Sequence, residues 1–343
     1  MPHKWFLAFM LPSMLAMVLF IALPIGSIIV QSLFVEHDKV LTTTESCQPL
    51  SPCVTETVVD TAAYEALRAE RPLGQFNGFG TYTDRNHLAF AEIGAILSAN
   101  DGIGDVASQI FNLPLYKALI FTVTYTFVVT PLAMLLGFLI ALAVNSLTRA
   151  IKGPVIFFSL VPMLITPLIG SLILYWMINA EGVLGAALQS LFNDPDLSLK
   201  SSPTLTWITL MTYGIWTNAP FSFIVFYAGL QAVPRDTIEA AMIDGASRVE
   251  RIRYVVLPSL RPLILFVVLV QLMDNFRVFE PIIGFSASAS ATSMSFLVFS
   301  SLNTQTTQLF GSAAATSVIT IAFIAVLVIP VVLNVARDLN LKA

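Results

Sequence analysis

Charge is what this sequence has least of. Only 11% of its 343 residues are Asp, Glu, Lys or Arg, less than half the roughly 25% of a soluble domain. That excludes an ordinary water-soluble protein, and a formal net charge of -4 gives no footing for nucleic acid. Histidine is nearly missing too: His3, His37 and His87 stand far apart with no second ligand at helical or C-x-x-C spacing, so no metal site is expected. No stretch reads Gly-x-x-x-x-Gly-Lys-Ser/Thr, which excludes a P-loop of its own. Cysteine occurs only at Cys47 and Cys53.

Apolar residues take up the difference: 56% of the chain is hydrophobic and the mean hydropathy is +0.82. A hydrocarbon core about 30 Å thick needs about 20 apolar residues per helix. Six stretches reach that length, roughly Trp5–Phe34, Leu115–Leu147, Ile151–Ile178, Thr204–Val233, Leu260–Phe285 and Leu309–Ala336. The expected fold is an all-α integral membrane protein with six transmembrane helices. The first stretch is too long for a signal-peptide core and no small-x-small site follows it, so residues 1–34 read as a retained anchor. Arg149 and Lys152 follow the second stretch, Arg235, Arg248, Arg251, Arg253 and Arg261 the fourth, and Arg337 and Lys342 the sixth. The short loops after the third and fifth carry only Lys200. By the positive-inside rule both termini are cytoplasmic.

Residues 35–114 then form a large external loop between the first two helices, acidic and rich in Gly, Asn and Thr, and 115–343 form the helical core. Cys47 and Cys53 fall in that loop around Pro49 and Pro52, where an oxidising compartment favours a disulfide over two free thiols. Asp60 is placed to cap a short helix ending near Pro72, and Asn77-Gly78 and Phe79-Gly80 mark turns. The loop either meets an external partner or covers the outer mouth.

One polar island interrupts the core, over 234–262. Pro234 stops the fourth helix, Asp236 and Glu239 stand at capping-box spacing, and Gly245 tolerates the left-handed conformation that ends a helix. Ser247 and Glu250 repeat the box, and Leu257-Pro258 and Pro262 close the element. The product is a helix-glycine-helix hairpin with Arg248, Arg251 and Arg253 on its second arm. Such a hairpin lies on anionic headgroups or docks on a soluble partner.

Glu239-Ala240-Ala241, Gly245 after three residues, and Leu257-Pro258 beyond it resemble the EAA loop of binding-protein-dependent ABC importer permeases. Ile243 to Ser247, Leu257 to Pro262, Phe276-Arg277-Val278-Phe279-Glu280 and Phe76 to Tyr82 are similar to the sugar-importer branch, and the long external loop to a maltose-type subunit. Ser286-Ala287-Ser288-Ala289-Ser290 stands where that branch has Gly-Gly-Pro. The resemblance implies a non-catalytic subunit whose hairpin docks into a cleft of a separate ATPase through Glu239, Ala240, Ala241, Asp244, Gly245 and Arg248. It implies two ATPase subunits, which bind the ATP and Mg that this chain does not, and a second homologous permease completing a heterodimer. It also implies an external solute-binding protein, and a carbohydrate or related polyol moved across a bacterial cytoplasmic membrane by alternating access.

Ionisable groups inside an apolar helix are costly and mark function by default. Only the fifth stretch has them: Asp274, Arg277 and Glu280, with Gln271 and Asn275 nearby. At about 1.5 Å per residue from Pro262, Asp274 falls near the middle of the bilayer. The three charges stand at i, i+3 steps and either neutralise one another along one stripe or line a polar solute path with Gln271 and Asn275. Asn218, Tyr213 and Trp216 of the fourth helix are further candidates for that path. Two other classes are a membrane enzyme acting on a lipid-linked substrate and a secondary transporter. The first needs paired acids or histidines at a membrane face, and Asp274 and Glu280 are nearly two turns apart; the second needs an inverted repeat, and none is apparent.

Overall fold

Prolines decide where the helices of this chain start, bend and stop. The computed structural model describes residues 2–37, 40–46, 54–99, 102–303 and 309–340; Cys47 and Cys53, and with them the expected disulfide, lie outside the described residues. The chain forms two compact units, Met1–Tyr116 with Leu297–Thr320, and Lys117–Phe296 with Ile321–Ala343.

The first unit opens with α1 (Pro2–Met17) and α2 (Leu23–Gln31), joined through a π-helical turn at Val18–Ala22. Pro24 is the reason for that turn. Its ring and missing N–H disrupt the ordinary helical ladder, and the wider turn lets Leu23 donate to the Val18 carbonyl instead. None of the apolar stretch Phe9–Gln31 is buried by the rest of the chain. Beyond it, β1 (Phe34–Val35) awaits a later partner, while β2 (Leu41–Ser46) pairs antiparallel with β3 (Val54–Val59), Leu41 facing Val59. Asp60 caps α3 (Thr61–Glu70) as its sequence predicts, its Oδ1 accepting from the Ala63 N–H at 3.0 Å. The partner of β1 is β4 (Gln75–Phe76), followed by α4 (Gly80–Thr83), α5 (Phe90–Ser98) and α6 (Ile103–Phe111). His87 is fully buried, with Nε2 3.1 Å from the Ser312 carbonyl and 3.0 Å from the Thr316 hydroxyl. Burial pulls its imidazole below the ordinary histidine value, against the Ser312 carbonyl and Asp84, which pull the other way.

The second unit holds most of the long helices: α7 (Pro114–Ser146), α8 (Arg149–Leu164), α9 (Pro167–Ile178), α10 (Val183–Phe192) and α11 (Pro203–Ala232). The expected third span is broken, because Ile165 and Thr166 are extended ahead of Pro167. Next come α12 (Arg235–Ile243) and α13 (Arg248–Arg251), which runs through a second π turn, Ile252–Val256, into α14 (Leu257–Ser259). The chain ends with α15 (Arg261–Phe276), α16 (Glu280–Gly284), α17 (Met294–Leu302) and α18 (Phe310–Asn340). The expected fifth span therefore stops at Phe276, short of Phe285. Pro281 has no N–H for the Arg277 carbonyl and its ring clashes there.

Among the described residues, four helical stretches are long and apolar enough to cross a membrane: Phe9–Gln31, Pro114–Ser146, Pro167–Phe192 and Phe310–Asn334. A fifth span results if Arg248–Ser259 and Arg261–Phe276, bent by 71° at Leu260, count as one. α11 matches the expected fourth stretch in extent, but its threonines and Asn218 lower its hydropathy below that of the others. Two apolar clusters hold this unit together. Phe121, Tyr125 and Val129 meet Leu210, Ile282 and Phe285 in one; Ala141, Val144, Phe223, Phe226 and Val267 form the other. A Cβ on Gly137 would sit 2.6 Å from the Ser222 Cβ and 2.7 Å from the Ala219 carbonyl, so α7 and α11 meet at backbone distance, as small residues permit in membrane helix pairs.

Candidate coupling hairpin and polar path

The chain leaves α11 through two extended residues, Val233 and Pro234, which makes Pro234 the cap of α12. Proline has no side-chain acceptor, and Asp236 falls inside the first turn, where it complements the helix dipole. The expected Asp236–Glu239 capping box is thus not formed. Glu239 is exposed and, among the described residues, its carboxylate holds no hydrogen bond or ion pair. At the other end, the Ala246 N–H donates to the Ala241 carbonyl at 2.9 Å and the Gly245 N–H to that of Met242 at 3.1 Å, with Gly245 at φ +80°. This is a Schellman stop, with glycine at the left-handed position.

The second box does form. The Glu250 N–H donates to the Ser247 hydroxyl at 3.3 Å, and the Ser247 N–H to Glu250 Oε2 at 2.7 Å. Ser247 holds the Glu250 carboxyl below the ordinary glutamate range through its hydroxyl first and its backbone N–H second. The element does not close at Leu257-Pro258 as expected: the π turn carries the helix past Pro258, with the Leu257 N–H donating to the Ile252 carbonyl, and the bend comes at Leu260 before Pro262.

The hairpin is rooted and yet exposed. Ile238, Val256 and Leu260 pack with Phe226, Leu230 and Val233, fixing its base to α11. Beyond that base Ala240, Asp244, Gly245 and Arg248 are exposed, Ala241 is half-buried, and Ile243 and Val249 are 86% and 72% exposed. A carboxylate, two alanines and bare apolar side chains on a stiff frame form a surface that no described residue of the chain covers.

The polar residues of α15 divide between two environments. Gln271 and Asn275 are buried. Gln271 Nε2 donates to the Asn218 carbonyl and the Ser222 hydroxyl, both at 3.0 Å, and Asn275 Nδ2 to Thr130 Oγ1 at 2.9 Å and Gln271 Oε1 at 3.1 Å. This node ties α15 to α11 and α7; it is packed side chain against side chain. The Asn218 amide itself donates to the Gly214 carbonyl at 2.8 Å. Asp274 faces outward and pairs with Arg277 at 3.0 Å, the two side chains being 56% and 62% exposed.

Glu280 lies beyond the break, at the start of α16. The three-charge stripe therefore reduces to one pair, and Pro281 is the signal that foretold it. Tyr213 donates to the Pro167 carbonyl at 2.9 Å and, with Trp216, lines an apolar cavity of about 460 Å³ bounded by Ile165, Ile173, Met177 and Leu184. No hydrogen bond or ion pair among the described residues joins these aromatics to the α15 groups.

Thr130 and Ser222 were missed by sequence reasoning; each is a lone hydroxyl in an apolar run, a faint signal. So was Lys200. Its ammonium sits 4.5 Å from the Tyr175 ring centroid and 5.3 Å from that of Phe285, and burial holds it below the usual lysine range. The Ser286–Ser290 segment is pinned, with Trp207 Nε1 donating to the Ser290 carbonyl at 2.8 Å. Ser286 takes φ +52° where the Ala287 N–H returns to the Ile282 carbonyl.

Residues 130–339 match the family described as binding-protein-dependent transport system inner membrane component. The chain belongs to that family. The matched region takes in the hairpin, the polar node and the Asp274–Arg277 pair of this permease. It is similar to the trehalose/maltose transport system permease protein MalF of Thermococcus litoralis, 30% identical over 206 residues, covering 59% of this chain and 68% of that one. It is also similar to the sn-glycerol-3-phosphate transport system permease protein UgpA of Rhizobium meliloti, 27% identical over 274 residues, 77% and 83% of the two chains. Its fold is that of a chain in the crystal structure of a bacterial ABC transporter involved in alginate import, with TM-score 0.60, 20% identity, and coverage of 80% and 96%.

Proposed function

We propose that this permease is the transmembrane subunit of an ATP-driven importer that moves a carbohydrate or related polyol across a bacterial cytoplasmic membrane by alternating access. It works beside a second homologous permease, two ATPase subunits that bind ATP and Mg, and an external solute-binding protein. Its termini and hairpin face the cytoplasm, and residues 35–114 face outward, a reading that the arginine distribution of the short loops supports.

The observation that carries this reading is the hairpin. It is rigid at its base through Ile238, Val256 and Leu260, and its free Glu239, exposed Ala240 and left-handed Gly245 await a partner. In this account the ATPase covers them, Glu239 meeting a basic side chain and Ala240 and Ala241 allowing close packing. Force reaches the bilayer through the bend at Leu260, where α14 passes into α15. A rocking α15 carries Asp274 and Arg277 with it, while Gln271, Asn275 and Asn218 keep the helix in register with α11 and α7. The exposed pair offers a carboxylate and a guanidinium to the hydroxyls of a solute. Names such as trehalose/maltose and sn-glycerol-3-phosphate permease among its relatives support a hydroxyl-rich cargo.

The substrate claim is tested by Asp274→Ala in the assembled complex. Solute-stimulated ATP hydrolysis should fall at least tenfold while basal hydrolysis and assembly persist. Unchanged stimulation would reduce Asp274 to a structural partner of Arg277.

A further inference from the structure

The cavity between α9, α10 and α11 takes no part in that transport scheme, and its chemistry shows why. Its walls are Ile173, Leu184, Ile208 and their apolar neighbours. Of the few polar groups that reach it, the Thr209 hydroxyl donates to the Leu205 carbonyl at 2.9 Å and the Tyr213 hydroxyl to that of Pro167. A sugar would bring far more hydroxyls than this lining, apolar but for Thr209, Thr212, Tyr213 and Trp216, can pair. An apolar occupant makes no such demand.

The cavity is also open at its side. Ile173, Ile208 and Trp216 are 48%, 54% and 45% exposed, and the lining runs from Gly170 to Ile178 on α9 and from Ile208 to Trp216 on α11. Each run is about 12 Å long at 1.5 Å per residue, close to the roughly 15 Å that one leaflet contributes to a hydrocarbon core of about 30 Å.

A cation stands beside the cavity. Leu174 and Leu199 line the wall, and the next residue in each run, Tyr175 and Lys200, form the ring–ammonium contact described above. The polar contact of that ammonium is the Ser286 carbonyl at 3.4 Å, and among the described residues no carboxylate pairs with it. An ammonium held beside an apolar slot matches the phosphate of a molecule whose tail fills the slot.

We propose that this cavity holds one acyl chain of a membrane phospholipid, with Lys200 receiving its phosphate. The proposal rests on the chain spanning a bilayer and is independent of the importer's cargo. Native mass spectrometry of the detergent-purified complex tests it, comparing wild type with Ile173→Trp, which fills the slot, and Lys200→Glu, which reverses the charge. Retained phospholipid should fall at least fivefold in Ile173→Trp. Lys200→Glu should lose phosphatidylglycerol at least fivefold while keeping more phosphatidylethanolamine. Equal retention in all three proteins would overturn the assignment, as would cross-linking of Ile173→Cys to the second permease, which would mean that protein covers this face.

Discussion

At Gly245 the backbone stands at φ +80°, and among the described residues beyond its immediate chain neighbours nothing lies within 4 Å of where a Cβ would be. Within this chain the residue is needed for its conformation, since room is plentiful. Asparagine tolerates the left-handed region, so Gly245→Asn should keep the hairpin and most ATPase co-purification. Gly245→Trp should lose that co-purification, because its bulk meets a partner that the permease alone does not contain. Equal recovery of the ATPase with both variants would remove Gly245 from the interface. Ser286 presents the opposite case. It holds φ +52° with a side chain, at a helix end where glycine is the usual residue, and the left-handed conformation costs an ordinary residue roughly 1–2 kcal/mol. Ser286→Gly should therefore leave thermal stability unchanged or raise it by up to about 1 kcal/mol, the gain being partly offset by the greater chain entropy of glycine; a marked fall in melting temperature would contradict this.

Among elements, the hairpin shows what was legible and what was not. The Gly245 stop and the Ser247–Glu250 box were readable because each needs only residues close in sequence. The Asp236–Glu239 box had the right spacing as well, but Val233 and Pro234 set the helix start two residues earlier than the pattern implied. For α15 the three acids and bases drew the eye to an i, i+3 stripe, while Pro281, which breaks it, was local and visible. The Thr130, Ser222, Gln271 and Asn275 node was out of reach for another reason: it joins three helices, and nothing local announces which hydroxyl faces which amide.

A pH dependence belongs to this scale. Because Ser247 lowers the carboxyl of Glu250 in the folded hairpin, the unfolded arm binds more protons over the interval between the two values, and stability rises with pH there. The cap should be intact above the ordinary glutamate value of 4.5 and lost as pH drops through the lowered one. Amide exchange at Ser247 and Glu250, corrected for its intrinsic pH dependence, checks this. Ser247→Ala, which keeps the backbone N–H bond to Glu250, should weaken the step and cost about 1 kcal/mol at neutral pH.

For the whole molecule, the proposed function makes the α12–α13 hairpin, exposed and rooted beside the bend into α15, the element through which a separate ATPase drives this permease. The most direct test is site-specific cross-linking of Ala240→Cys to a co-expressed ATPase, with Thr57→Cys in the segment assigned to the outside as control, alongside ATP-dependent solute uptake. The account predicts a cross-linked permease–ATPase species for Ala240→Cys alone, and uptake that stops when the link forms. Uptake that continues with no ATPase captured at Ala240→Cys, or capture that is as strong at Thr57→Cys, would contradict it.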